Sequence, residues 1–529
     1  MQKLFCNGAI YTMEEGDRAE AVLTDEGRIQ GVGRFEELRR QAPLAELVDL
    51  KGYAMLPAFL DSHSHLSSYA MSFLQAPLEE CYTFQEILER VQGFIRENKL
   101  PPGDWVVGKG YDHNSLAERR HPTLALLDQA APHNPLMLQH ASGHVGVFNS
   151  LALKALGITP DVPSPEGGVI GKEDGRLTGY LEENAYFAYM KKVPAGGVED
   201  LKEGYRRAQE GYASRGITSV QEGMAVDQMV PLYQMLLRQD LLDLDVTAYV
   251  ALGDGQGFLE AFPQAVRSYD RHFRIGGYKI FLDGSPQGRT AWMRTPYKGG
   301  EGFYYGYGTM KDEAVLEAVK KAAADDMQLL AHCNGDRAAQ QYLKAIGAAG
   351  REWDVKRIRP VLIHGQLLGV DQLEEVKALG VIPSFFAAHV YHWGDVHIQN
   401  FGRERASRIS PAASALKRNI LFTFHQDTPV IPPNMMETVW CAVRRITKSG
   451  VVLGEEERIS VREAFRAITI NSAYQYFEED KKGSIKVGKD GDFVILEQDP
   501  FAAGHEELRD ISVLGTFKKG EAIFGGEWL

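Results

Sequence analysis

Short apolar runs alternate along the middle of the chain with longer stretches whose apolar residues recur at helical spacing. Strand-like runs rich in β-branched and aromatic residues lie near residues 56–61, 216–221, 245–250, 277–282, 327–332, 360–364, 381–386 and 420–424. Between them, the stretch 312–326 places Val315, Val319 and Ala323 on one helical face. This alternation predicts parallel βα units. Eight units favour an α/β fold of the (β/α)8 TIM-like barrel type, with a doubly wound open sheet as the alternative.

The two ends of the chain carry a different pattern, in which short strands are separated by turns. Apolar or β-branched runs lie at residues 9–12, 21–24, 29–32, 493–496, 511–514 and 521–524. Each end supplies too few strands to bury a sheet face alone. We therefore expect one small β-sandwich domain built from residues 1–56 and 477–529. A barrel domain over residues 57–476 would then fill the space between.

The gap between the first and second predicted strands is too long for a simple crossover. It runs from about residue 66 to residue 215, whereas a βαβ unit needs only about 30 residues. The gap contains a Pro-Pro-Gly break at 101–103 and a polar segment rich in Gly and Pro at 161–175. The sequence therefore predicts a large inserted subdomain after the first barrel strand.

Four histidines fall at the ends of predicted strands, where barrel enzymes place their chemistry. His63 and His65 follow the first strand, and the two-residue period of an extended chain points both rings to one side. His332 ends the fifth strand and His364 ends the sixth. Only 15 histidines occur in 529 residues, and neutral imidazole is a common metal ligand. The set therefore favours a metal site, although hydrogen bonding at strand ends would explain any one member.

Two further polar residues occupy the same region of the predicted barrel. Lys279 lies inside the fourth strand, and Asp427 follows the eighth. A carboxylate beside several imidazoles suits a divalent cation such as zinc.

Composition narrows the partners and the compartment. The chain has 58 basic and 71 acidic residues, a net charge of −13, which argues against nucleic acid or an anionic membrane as the main partner. Its four cysteines are widely spaced and form no Cys-x-x-Cys pair, so a reducing, cytoplasmic location is expected. Neither a signal core nor an apolar run of about 20 residues is apparent. We expect a small-molecule substrate and, by default, a homodimer.

Several motifs resemble the metal-dependent amidohydrolase superfamily. The opening motif covers residues 48–66, with Ala58 where glycine is usual, and a closing sheet segment covers residues 483–494. The marks of the amidohydrolase-3 branch, the YtcJ-like or N-substituted formamide deformylase group, are similar to residues 140–144, 149–153, 279–285 and 425–430. The likeness extends nearly from end to end.

The resemblance implies a role for each residue at the strand ends. His63 and His65 would bind the more buried ion, zinc or another divalent metal, and His332 and His364 would bind a second ion or complete a single site. Lys279 matches a lysine that is carboxylated in many relatives, although an unmodified lysine is the alternative. Asp427 would bind metal and act as general base toward a metal-activated water. His364 or His332 would also steady the oxyanion.

Loops that follow barrel strands face the site, so their polar and aromatic residues are candidates for substrate binding. Loop packing or a surface hydrogen bond is the alternative for each of them: Gln139, His144, Arg289, Trp292, His389, His392 and Trp393. Glu182 and Glu222 are candidates for accepting the outer N–H of a metal-bound histidine.

The function predicted from these features is an amidohydrolase, a metal-dependent enzyme that cleaves a C–N bond of amide type, other than a peptide bond, in a small molecule. A deaminase or related hydrolase of a heterocycle would use the same activated water. A catalytically silent barrel with a binding or regulatory role is the remaining alternative.

Overall fold

The chain divides into two units. The computed structural model describes residues 1–16, 18–141, 143–194, 196–299 and 303–526. The larger unit comprises Met1–Leu66 and Gln209–Leu529, and the smaller comprises Ser67–Ala208.

Both units contain β-strands of two to nine residues. In chain order they are β1 (Lys3–Tyr11), β2 (Arg18–Asp25), β3 (Arg28–Gly33), β4 (Glu46–Asp49), β5 (Ala54–Pro57), β6 (Phe59–Leu60), β7 (Ala76–Pro77), β8 (Val106–Tyr111), β9 (Leu136–His140), β10 (Val145–Phe148), β11 (Gly168–Glu173), β12 (Arg176–Glu183), β13 (Ile217–Ala225), β14 (Asp245–Ala251), β15 (Phe273–Phe281), β16 (Gln328–Cys333), β17 (Val361–His364), β18 (Ile382–Phe385), β19 (Thr423–Phe424), β20 (Phe493–Leu496), β21 (Val513–Lys518) and β22 (Glu521–Gly525).

The helices follow the same order. They are α1 (Phe35–Gln41), α2 (Leu66–Ser72), α3 (Phe84–Glu97), α4 (Leu124–Ala130), α5 (Ser150–Ala155), α6 (Asn184–Met190), α7 (Val198–Ala213), α8 (Val230–Arg238), α9 (Gln256–Ala261), α10 (Asp312–Ala324), α11 (Asp336–Ala349), α12 (Leu373–Leu379), α13 (His389–Phe401), α14 (Arg403–Ala406), α15 (Ala412–Lys417), α16 (Met435–Arg444), α17 (Val461–Ala467) and α18 (Ile470–Gln475). Short 3-10 turns lie at Asp227–Met229, Pro263–Ala265, Val370–Gln372, Glu455–Glu457 and Leu508–Asp510. Within the described ranges, every helix falls short of the length and apolar character that a membrane crossing needs.

Eight parallel strands of the larger unit form one sheet in the order β6-β13-β14-β15-β16-β17-β18-β19. Each overlaps a run predicted from the sequence, and with the intervening helices they confirm the α/β class. The first predicted strand, however, is split in two. Ala58 N donates to Asp492 O, whereas Phe59 N donates to Gly216 O. The residues before Ala58 therefore belong to a different sheet from those after it.

That second sheet of the larger unit joins the two ends of the chain. Its order is β22-β21-β20-β5-β1-β2-β3, and β4 pairs with β1. Phe5 lies at its centre, with ring centroids 5.1 Å from Phe493 and 5.3 Å from Phe517. Strands from both termini thus share one buried apolar cluster, as their short length requires.

The smaller unit has a mixed sheet of its own, in the order β11-β12-β10-β9-β8-β7. Strands β7, β8 and β9 are parallel, and the remaining pairs are antiparallel. Buried side chains from α3, β8 and α4, including Val91, Val106 and Leu127, form its core. Because β8 and β9 are parallel neighbours, their carboxyl ends lie side by side.

Local signals explain several helix boundaries. The α10 helix buries Val315, Val319 and Ala323, the predicted face, although its N-cap is Lys311 and no side chain caps it. The α12 helix stops at Gly380, whose φ of +69° suits glycine. Ser460 caps α17, because its side chain accepts a hydrogen bond from Glu463 N.

Candidate metal centre

Two histidines and a carboxylate from opposite ends of the parallel sheet meet at one point. His63 Nε2 and His65 Nε2 each lie 3.3 Å from Asp427 Oδ1. The backbone holds the two loops together, since Asp427 N donates to His63 O at 3.1 Å and His65 N donates to Thr428 O at 2.9 Å. Lys279 Nζ, from β15, lies 3.2 Å from His63 Nε2. His63 and Lys279 are both buried, with 1% exposure.

The hydrogen-bond partner of His63 determines which ring nitrogen is free. His63 Nδ1 lies 3.0 Å from Gln221 Oε1, an oxygen that only accepts, so Nδ1 carries the proton. The Gln221 amide is itself oriented, because its Nε2 donates to Ser62 O. His63 Nε2 therefore presents an unprotonated lone pair toward Asp427, as a metal ligand does.

A longer chain of hydrogen bonds orients His364 in the same way. Ser62 Oγ donates to Phe424 O at 2.9 Å and lies 3.0 Å from Ser384 Oγ, which must then donate to it. Ser384 Oγ is 2.8 Å from His425 Nδ1, so that nitrogen donates and His425 Nε2 accepts. His425 Nε2 is 3.0 Å from His364 Nδ1. The proton of His364 therefore lies on Nδ1, and its Nε2 is a free lone pair.

His364 Nε2 points to the rest of the cluster. It lies 3.1 Å from His332 Nδ1 and 3.9 Å from Asp427 Oδ2. On its other side, His332 Nε2 lies 3.3 Å from Gly284 O and 3.1 Å from Asn334 Nδ2. The two oxygens of Asp427 thus face different histidines, Oδ1 toward the loop after β6 and Oδ2 toward the end of β17.

Burial shifts the pKa values of three of the histidines and of Asp427. It lowers the pKa of His63 and His364 well below the usual range, and it lowers that of His332 to about 4, with Lys279 adding to the shift for His63 and His332. Burial raises the pKa of Asp427, but the surrounding histidines outweigh it and hold that pKa well below its usual value. At neutral pH, His63, His332 and His364 are therefore neutral imidazoles beside an anionic carboxylate.

Two features of the backbone shape the centre. His364 and Asp427 have φ values of +74° and +54°, a left-handed region that is costly for residues with a side chain and is enriched at active sites. Gly223, in β13, approaches the imidazoles so closely that a Cβ would stand 2.8 Å from His63 Cε1 and 2.9 Å from His65 Cε1. Glycine is required there by this approach.

The donor set fits a divalent cation. Two atoms bound tetrahedrally to one zinc at about 2.0–2.1 Å are about 3.3–3.4 Å apart. The distances from His63 Nε2 and His65 Nε2 to Asp427 Oδ1 are both 3.3 Å. That oxygen is buried and, apart from its contact with His65, has no hydrogen-bond partner among the described residues, although it is an anionic acceptor. A cation between the three atoms would satisfy it.

An aromatic group borders the histidines on one side. The ring of Phe386 lies 5.3 Å from His425 and 6.4 Å from His364. It also contacts His389 at 4.8 Å and Trp393 at 6.0 Å, both on α13. These two predicted substrate contacts are therefore joined to the histidines of the candidate centre through Phe386.

Other predicted substrate contacts of the larger unit are held by neighbouring side chains and loops. Arg289 donates to Lys298 O at 3.2 Å, and Trp292 packs under the guanidinium of Arg337 at 4.9 Å. His392 Nε2 lies 2.9 Å from Glu437 Oε1. These contacts match the loop-packing alternative, and a role toward substrate stays a prediction.

The remaining candidates lie in the smaller unit. Gln139 is in β9, where it pairs with Gly146, and His144 Nδ1 lies 3.0 Å from Glu183 Oε2 with about half of its side chain exposed. Glu182 is in β12 opposite Val145. Ser142, part of the motif at 140–144, lies outside the described residues. The roles of Gln139, His144 and Glu182 stay predictions.

Sequence reasoning missed three groups that orient the predicted ligands. Gln221 is the partner of His63, while the predicted acceptor Glu222 takes a hydrogen bond from Tyr233 OH at 2.8 Å. His425 and Ser384 fix His364. His425 directly follows the eighth strand, so the argument from strand ends could have found it.

Comparison with known proteins assigns the chain to a family. A model described as the amidohydrolase family matches residues 46–524. The chain belongs to the amidohydrolase family. It is 30% identical to YtcJ of Bacillus subtilis (strain 168), with 99% of both chains covered. It is 29% identical to the N-substituted formamide deformylase of Arthrobacter pascens, over 95% of this chain and 94% of that one.

Solved structures agree with this assignment. The crystal structure of an uncharacterized metal-dependent hydrolase from Pyrococcus furiosus aligns with a TM-score of 0.76 at 27% identity, covering 95% of this chain and 100% of that one. A second one, from Pyrococcus horikoshii, aligns with a TM-score of 0.78 at 26% identity, covering 96% of this chain and 99% of that one. Family membership thus supports a hydrolase, as the motifs predict.

Proposed function

We propose that this amidohydrolase-family protein is a metal-dependent hydrolase that cleaves an amide-type C–N bond of a small molecule, with Asp427 as general base. The observation that carries the proposal is the position of Asp427 Oδ1, which is buried, lies 3.3 Å from two imidazole nitrogens and has no donor other than His65 among the described residues. One of those nitrogens, His63 Nε2, is an unprotonated acceptor by its bond to Gln221. Buried acceptors that face one another imply a cation between them.

The ligands would be His63, His65 and Asp427, with His364 and His332 completing the site or holding a second ion. Bound there, zinc or another divalent cation would supply Lewis acidity, lowering the pKa of a water to about 7 and polarising the substrate carbonyl. Because His364 Nε2 carries a lone pair, we assign it to cation binding and not to donation toward an oxyanion.

Asp427 is suited to move the proton. Its low pKa leaves the carboxylate ionised at neutral pH, and its two oxygens face different histidines. It would take a proton from the attacking water and pass it to the leaving nitrogen, so that the amine departs neutral. Gln221 would hold the ring of His63 in place, and Ser384 would hold that of His425.

Lys279 would contribute in a modified form. Burial lowers its pKa to about 8, so a substantial fraction of the amine is neutral near physiological pH. A neutral amine can add to CO₂ and form a carbamate, which would place an anionic oxygen ligand beside His63. Intact mass measured under mild conditions tests this step, since Lys279→Arg should lack the labile carbamate.

The architecture proposed around this site is a closed barrel. Support comes from the first and last strands of the parallel sheet, β6 and β19. The loops that follow them are joined by the backbone bonds of Asp427 and His65, and Ser62 Oγ reaches Phe424 O. We further propose that residues 1–56 and 477–529 form a β-sandwich domain. Residues 57–476 would form the barrel domain, with an inserted subdomain at about 66–215.

An amide substrate is supported by the likeness to the N-substituted formamide deformylase of Arthrobacter pascens. The aromatic group of Phe386, His389 and Trp393 beside the histidines would suit an apolar N-substituent. We expect the protein to be cytoplasmic and to act on small molecules.

A product assay tests the proposal. Purified, zinc-loaded protein is incubated with a panel of N-substituted formamides, other amides and amino-substituted heterocycles. We expect a carboxylate and an amine in equal amounts, and turnover by Asp427→Asn that is lower by at least about 10²-fold. Asp240→Asn, at an exposed position, is the matched control and should retain full turnover. Release of ammonia from the heterocycles alone would favour a deaminase, and wild-type turnover by Asp427→Asn would refute the assigned base.

A further inference from the structure

A second group of metal-ligand side chains lies within the smaller unit. Asp112 and His113 directly follow β8, and His140 ends β9. Because β8 and β9 are parallel neighbours, with Tyr111 paired to His140, their carboxyl ends bring the three side chains together. None of the three has a place in the proposed hydrolytic site.

The three ligand atoms form a compact triangle. His113 Nδ1 lies 3.0 Å from His140 Nε2 and 3.8 Å from Asp112 Oδ1, and His140 Nε2 lies 3.5 Å from Asp112 Oδ1. A point equidistant from the corners of this triangle is about 2.0 Å from each, the length of a zinc–nitrogen or zinc–carboxylate bond. The spacing of the three ligand atoms thus already matches zinc bond lengths without movement of any side chain.

A hydrogen bond between the two histidines explains only one side of the triangle. Asp112 Oδ1 is 3.5 Å from His140 Nε2, a long hydrogen bond, and 3.8 Å from His113 Nδ1, beyond hydrogen-bond range, yet it faces the same point. Its orientation is fixed, because Asp112 Oδ1 accepts from Asn114 N at 2.8 Å. Convergence of all three atoms on one point is what a shared cation requires.

We propose that Asp112, His113 and His140 form a further metal site that takes a divalent transition ion such as zinc. Three protein ligands leave one coordination position for water or a small ligand, and the side chains of His113 and Asp112 are 30% and 40% exposed, so solvent reaches it. His121 supports the site from outside. Its ring stacks on His113 at 4.2 Å, and its Nδ1 lies 3.0 Å from Tyr111 OH.

Zinc content of the full-length protein tests the proposal. The protein is stripped with a chelator, dialysed against a zinc buffer and analysed for zinc per chain. His113→Gln and Asp112→Asn, both at partly exposed positions, should each bind one zinc fewer than the wild type. His133→Gln, an exposed histidine of the same unit, is the matched control and should bind as much as the wild type. Wild-type zinc content in both ligand variants would overturn the proposal.

A second background separates this site from the hydrolytic centre. Adding His113→Gln to the His63→Ala protein should lower its zinc content by one ion per chain, whether the hydrolytic centre holds one ion or two. Hydrogen exchange supplies a local readout: zinc should slow exchange around residues 111–114 and 140 in the His63→Ala protein and leave the double variant unchanged. Equal zinc content in the His63→Ala protein and in the double variant, or zinc that protects neither segment, would contradict the site even if the hydrolase proposal holds.

Discussion

Gly223, a residue without a side chain, packs tightly against the candidate metal centre. A Cβ on Gly223 would stand 2.7 Å from Ser64 O, 2.8 Å from His63 Cε1 and 2.9 Å from His65 Cε1. Ordinary van der Waals contact begins at 3.4 Å. Strand β13 is held by its pairing with β6 and β14, so in Gly223→Ala we expect both rings to retreat by about 0.5 Å.

This displacement is large for a metal site. Ligand distances stay within about 0.2 Å of their ideal values in intact sites. We expect Gly223→Ala to weaken zinc binding by roughly 10- to 100-fold, as loss of supporting contacts does, or about 1.4–2.7 kcal/mol. Overpacking should also lower the free energy of unfolding by about 1–3 kcal/mol.

Competition with a chelator measures the affinity, in a His113→Gln background that leaves only the hydrolytic centre to titrate. Gly347→Ala, in α11, is the matched control, since the only atom of the described residues that a Cβ there would contact outside its own helix is Leu379 Cδ2 of α12, at 3.8 Å. The control should bind zinc as the background protein does and gain about 0.5–1 kcal/mol of stability. A folded Gly223→Ala protein with unchanged affinity would show that the rings are not held at this spacing.

Three further substitutions probe the charges and supports. Asp427→Asn should lower kcat by about 10²- to 10⁴-fold, measured as product formed over time. Circular dichroism should show that the fold is intact. Gln221→Leu should weaken zinc affinity by about 10- to 100-fold, because His63 loses the acceptor for its Nδ1 proton; unchanged affinity would reject that role. Burial raises the pKa of Asp245, but Lys482 and Lys518 outweigh it and hold that pKa well below its usual value. Asp245→Asn should therefore cost about 3–5 kcal/mol in urea unfolding at pH 7. This cost should shrink as the pH falls through about 4, where the unfolded carboxyl takes up its proton; a constant cost would contradict the linkage.

The eight parallel strands and the polar residues at their ends could be predicted from the sequence because both are local patterns. Each parallel strand is a short apolar run, and His332 and His364 stand at the last position or next to last of theirs. His63 and His65 follow a two-residue period that needs no knowledge of the fold.

The orienting groups could not be predicted, because they depend on contacts between distant segments. Gln221 lies 158 residues from His63, and Ser384 lies 322 residues from Ser62. The split of the first strand at Ala58 is also non-local, since it depends on whether the next hydrogen bond goes to Asp492 or to Gly216. The local sequence of residues 56–61 does not indicate which of these two partners is bonded.

The most direct measurement is an anomalous difference map from crystals of the zinc-loaded protein, recorded at the zinc absorption edge. We predict a peak within bonding distance of His63 Nε2, His65 Nε2 and Asp427 Oδ1. A map without density between these three atoms, or one in which their side chains bind the ion elsewhere, would contradict the account.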